Sequence, residues 1–152
     1  MTTKTMNIVR RVSDDRRIRK ESTPLPPLSW WRNMRADRFN ATVAKLLREA
    51  VAVVAIIEEP TWNAAVAGDA GAAVGLALRL NPVSSSPAIY DLVMTALLAC
   101  AAEDDTTACL VMAHMLRRRP SSGRAEARIA TSWLVRNFTK TTSLEAKAGR
   151  ST

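Results

Sequence analysis

Little of this 152-residue chain is aromatic: four Trp, two Phe and one Tyr make up 5% of it, although hydrophobic residues reach 47%. The apolar content is therefore carried by Ala, Leu and Val, whose small side chains suit closely packed helices. Histidine occurs once and cysteine twice. There is no CxxC or HExxH spacing, and His114 with Cys109 falls short of the three or four ligands a zinc site takes. Cys100 and Cys109 are too few to staple a secreted scaffold and fit a reducing compartment. Neither GxGxxG nor GxxxxGKS/T is present, so Gly68, Gly71 and Gly75 build no phosphate loop and a packing role suffices for them. Glu58, Glu59, Glu103, Asp104 and Asp105 fall at expected helix ends, where capping and solvation account for them without acid–base catalysis. The expectation is a chain that is not an enzyme and holds no cofactor or metal.

Long hydrophobic runs are lacking as well. The most apolar stretch, 50–57, has Arg48 and Glu49 before it and Glu58 and Glu59 after it, well short of the about 20 apolar residues a spanning helix needs. The first 20 residues contain no apolar stretch of the kind a secretory signal requires. No transmembrane segment and a cytoplasmic location are expected.

What the chain does have is charge, unevenly spread. Its net charge of +8 divides into +6 over residues 1–38, −5 over 39–105 and +7 over 106–152. Arg10, Arg11, Arg16, Arg17, Arg19 and Lys20 crowd a stretch with few large apolar residues, and Pro24, Pro26 and Pro27 then impose extended geometry. Residues 1–28 read as a flexible, disordered basic and Pro-rich arm, 29–140 as a helical domain and 141–152 as a flexible tail.

The domain is punctuated as helices. Ser29 can cap a short helix at Trp30, and Asp37 or Asn40 can start the next. Phe39, Val43, Leu46, Leu47, Ala50, Val54 and Ile57 recur at spacings of three and four, predicting one helix that ends before Pro60. A break is expected near Gly68, with Asp69 capping a piece that stops at Asn81 and Pro82. Ser86 and Pro87 open a helix to about Ala102, and Asp104 or Asp105 caps one closed by Arg117, Arg118 and Arg119. Ser121 or Ser122 caps the last, with frayed chain after about Lys140. The fold class is all-α: a small bundle or stacked helix hairpins of about five helices.

A faint echo links Leu78, Arg79 and Pro82 to Leu116, Arg117 and Pro120. The piece DAGAAVGLALRLNP resembles the second helix of a tetratricopeptide repeat, with Ala70, Ala77 and Pro82 at that motif's spacing. The resemblance covers about half a repeat and lacks the Trp and Gly-Tyr signals of the preceding helix, so membership is not assigned.

Function follows from the basic ends. Acidic middle and basic flanks suit a small helical interaction or adaptor protein that regulates a protein partner. The alternative is a nucleic-acid-binding regulator, DNA or RNA, because arginine clusters release counterions from phosphates and aromatic rings stack on bases. Its candidate residues are Arg10, Arg11, Arg16, Arg17, Arg19, Lys20, Trp30, Trp31, Arg32, Arg117, Arg118, Arg119, Arg124 and Arg128.

Overall fold

One helix organises the molecule because it is apolar on every side. In a computed structural model that describes residues 26–56 and 58–149, the segment PAIYDLVMTALLACAA is a helix, Pro87–Ala102 (α5), with 12 of its 16 residues buried. A helix with no polar face is stable only when enclosed. Around it lie Ala41–Ala52 (α2), Ala70–Arg79 (α4) and Thr106–Arg118 (α6), with Trp62–Ala67 (α3) against α4 and the long Arg124–Ala148 (α7) against α6. A short helix, Trp30–Asn33 (α1), and 3-10 turns at Pro27–Ser29 and Ala36–Arg38 close the ends of the packing against α5 and α7. Met94, Leu97, Leu98, Met112, Met115, Leu116 and Leu47 meet there without solvent exposure, in a single core.

The all-α prediction holds: the described residues contain seven α-helices and no strand, and 75% of them are helical. The excess over five is the four-residue α1 and the six-residue α3. No helix among the described residues is long and apolar enough to cross a membrane. The echo between Arg79 and Arg117 does not extend to a repeat, since α3 and α4 have 6 and 10 residues where α5 and α6 have 16 and 13.

Side-chain caps start three of the seven helices among the described residues where expected, whereas Ser29 and Ser86 precede α1 and α5 without a side-chain capping bond. Asn40 accepts from the Val43 N–H at 2.9 Å, Asp69 from Ala72 at 3.0 Å and Asp105 from Ala108 at 2.8 Å, each satisfying a donor the first turn leaves open. Three boundaries differ from the sequence reading. The helix α2 stops at Ala52 rather than near Pro60, because the buried Trp62 donates its indole N–H to the Val54 carbonyl at 2.7 Å and draws the chain out of the helix. The β-branched pair Val53–Val54 offers little helical propensity to resist this. Neither Ser121 nor Ser122 caps α7: Gly123 holds that place, and Glu126 accepts from its N–H at 2.7 Å while Ser122 donates to the Leu116 carbonyl. Helix α7 also continues past Lys140 to Ala148, although every residue from Phe138 on is exposed.

The break between α3 and α4 needs glycine. Gly68 has φ of 104°, in the left-handed region, and a Cβ there would stand 2.7 Å from Arg48 Nη2. That guanidinium is pinned to Glu103 across the bundle, with Nη1 donating to Oε1 at 2.6 Å. Gly68→Ala should therefore lower the unfolding free energy by about 1–3 kcal/mol through backbone strain, read as a reduced denaturant midpoint with an unchanged slope. An unshifted midpoint would show that the turn is not under this constraint.

Candidate interaction groove

The structure separates the candidate cations of the sequence reading into four groups. Arg10, Arg11, Arg16, Arg17, Arg19 and Lys20 lie outside the described residues. Around Trp31 sit Arg32 and Arg119, whose guanidinium carbons are 5.5 and 5.1 Å from its ring centroid. Arg32 is paired with Asp91, and Arg119 with Glu126 at 2.8 Å. Arg124 and Arg128 project from the outer face of α7, and neither forms an ion pair among the described residues. Arg117 and Arg118, at the end of α6, are exposed. The cations from Arg117 to Arg128 thus share no single surface, since Arg119 turns toward Trp31 and the α7 arginines line a different groove.

Trp31 is the clearest correction. It is 1% exposed, its indole N–H donates to Asp91 Oδ1 at 3.0 Å, and Tyr90 lies at a ring distance of 5.6 Å. A buried ring engaged in this way has no face for a nucleic-acid base. Trp30 is half-buried against the core.

Along α7, residues four apart share a row. Arg124, Arg128, Ser132, Arg136 and Lys140 form one such row, and Ala127, Thr131, Val135 and Thr139 the next. With Arg35, Ala36 and Asp37 on the facing turn, they line an open groove of about 900 Å³. The turn is held there by the Ala36 N–H donating to Ser132 Oγ at 2.9 Å and by Arg136. The Arg136 guanidinium donates to the carbonyls of Ala36, Phe39 and Ala102 at 2.6, 2.8 and 2.9 Å, and its Nε to Asp104 Oδ1 at 2.8 Å. Lys140 also reaches Asp104, which sits in the left-handed region with φ of 70°. Arg136 and Lys140 are therefore structural cations, while Arg124, Arg128 and the loosely paired Arg35, 3.5 Å from Asp37, carry the groove's available positive charge.

Sequence reading found Arg124 and Arg128 but not Arg136 or Lys140, although the four-residue row was there to be followed. The thiols are chemically quiet. Burial pushes the Cys109 thiol up to about 11, and burial likewise raises Cys100 against the opposing pull of Arg48. Among the described residues no three His, Cys, Asp or Glu side chains are grouped to hold a metal ion. No protein-family model, curated protein or solved structure matches the chain.

The groove wall generates a pH prediction. Burial pushes the Asp104 carboxyl up, but hydrogen bonds and charge from Lys140 and Arg136 outweigh it and hold the group below its ordinary value. A carboxyl with a depressed folded pKa contributes stability that is present above its unfolded pKa of about 3.9 and lost as pH falls through the folded value. Asp104→Asn, which tolerates the left-handed backbone, should lower stability at pH 7 and flatten the loss of stability below about pH 4. Urea unfolding at several pH values would read this; parallel pH profiles for the two proteins would contradict it.

Proposed function

We propose that this chain is a non-enzymatic helical interaction module that regulates a protein partner by taking an acidic, partly apolar segment of it along the α7 groove. The observation that carries this reading is the groove's make-up. Cations at Arg35, Arg124 and Arg128 stand around an apolar floor of Ala36, Ala127 and Val135, with Phe138 65% exposed one turn beyond. Exposed ion pairs contribute only about 0.2–1 kcal/mol each, so cations alone make a weak site. Apolar floor adds area-dependent affinity, and a peptide carrying both carboxylates and apolar side chains uses both. The two free, buried cysteines accord with a cytoplasmic setting for such a protein.

Nucleic-acid binding remains the second reading, favoured by the net charge of +8 and the exposed Arg117 and Arg118. The burial of Trp31 removes one of the stacking platforms on which it rested. Salt separates the two, because duplex binding loses affinity with a slope of about −0.9 per phosphate contacted.

Fluorescence titration with a panel of labelled acidic-amphipathic 15-residue peptides, their amidated counterparts and a random 20-base-pair duplex tests the proposal. Wild type should bind an acidic peptide at micromolar protein and not its amidated form. Replacing Arg124 and Arg128 together by Glu should weaken that binding by about tenfold or more, since each contact changes sign, while circular dichroism stays unchanged because both side chains are exposed. Tighter binding of the duplex than of every peptide, with a steep salt slope, would overturn the proposal in favour of nucleic acid.

A further inference from the structure

We propose that the pocket between α1, the start of α5 and the loop after α6 binds a small oxyanion ligand, a carboxylate or phosphate monoester on a compact organic body. This pocket shares no lining residue with the α7 groove and encloses about 300 Å³. Trp31, Arg32, Tyr90, Asp91, Arg119 and Ser121 supply its side-chain chemistry. Its rim is stiffened by Pro82, Pro87 and Pro120, which fix the backbone and offer no N–H, so donors to a ligand come from side chains.

Those donors are in excess. Tyr90 is 7% exposed, and its hydroxyl is buried with no hydrogen-bond partner. Buried polar groups are nearly always paired, so an orphaned phenol lining a pocket marks a place for an acceptor. Arg119 spends a donor on Glu126 and Arg32 one on Asp91, leaving each guanidinium further N–H groups. Asp91 Oδ1 already receives both Trp31 and Arg32, and Glu126 receives both Arg119 and the Gly123 N–H.

Charge points the same way. Burial pushes the Tyr90 phenol up, opposed by the charges of Arg119 and Arg118. Of the charged side chains that line the pocket, Arg32 and Arg119 face one carboxylate, Asp91, and the imbalance favours an anion. A neutral ligand would leave the surplus donors unpaired, whereas an oxyanion accepts from the phenol and forks with a guanidinium.

Titration of the full chain with phenyl phosphate, and separately with benzoate, tests this by NMR through the Trp31 indole N–H, with sodium chloride at equal ionic strength as control. A saturable shift of that signal with one or both compounds is expected, and which of them produces it identifies the anion. Tyr90→Phe should weaken binding by about tenfold, the scale of a lost hydrogen bond to a charged group, yet leave Tm equal or higher because the orphaned hydroxyl is gone. Arg119→Lys, which keeps the charge and loses the fork, should weaken it too. No saturable shift with either compound, or Tyr90→Phe binding as wild type does, would overturn the proposal.

Discussion

The guanidinium of Arg136 ties three separate parts of the chain together at one point. It lies on α7, donates to the carbonyls of Ala36 and Phe39 about a hundred residues earlier, and takes in Ala102 and Asp104 at the end of α5. The Phe39 carbonyl and the Asp104 carboxylate lie outside regular helix, Ala102 is the last residue of α5, and the Ala36 carbonyl takes the guanidinium beside its bond from the Phe39 N–H. One planar cation with five donors can satisfy several such groups at once, and a lysine could not match the fork geometry. Phe39 and Trp133 stack beside it at 5.6 Å, which keeps water from competing. Removing one partner from so enclosed a network costs several times what an exposed pair is worth.

From that clasp the rest of the arrangement follows. The turn at Arg35–Asp37 is fixed against α7, which makes a wall of what would otherwise be a loose connection and so defines the groove. The same contact sets Asp104 into a left-handed conformation that only a few residue types adopt without cost, and Asp105 is then free to cap α6. On the far side, Arg48 plays a comparable part, crossing from α2 to Glu103 over Gly68. Both arginines act at the same corner after α5. The ends of the central helix, rather than its apolar middle, thus carry the polar specificity of the fold.

What was legible in the sequence divides along physical lines. Caps are local, and Asn40, Asp69 and Asp105 announced three helix starts because side chain and target N–H are three residues apart. The end of α2 was not legible, since it is decided by Trp62 reaching back eight residues to Val54 against a periodicity that continues through Ile57. Trp31 was misread for a related reason: a tryptophan flanked by arginines has the same sequence whether its ring faces solvent or meets Tyr90 and Asp91, some sixty residues away. Arg124 and Arg128 were found by their spacing. Extending that row through Ser132 reaches Arg136 and Lys140, but only the positions of Asp104 and the turn at Ala36 reveal that those two are consumed internally.

The net charge of +8 therefore gives a poor picture of where positive charge is available. Within the bundle Arg32, Arg48, Arg79, Arg119, Arg136 and Lys140 each meet a carboxylate, drawing on acidic residues of the middle segment for all but Arg119, which uses Glu126. Packing the basic last helix against an acidic middle neutralises both locally, so self-repulsion does not burden the fold. Arg38 and Lys45 aside, the cations without an ion pair among the described residues gather on α7 and at the end of α6. Charges there act over about 8 Å at physiological salt, a distance at which Arg124 and Arg128, one turn apart on α7, reinforce each other's field in the groove. Surplus charge concentrated beside exposed apolar surface, on the one helix that runs beyond the core, is an arrangement that packing does not require, and it is the basis of the proposed docking of an acidic, partly apolar segment.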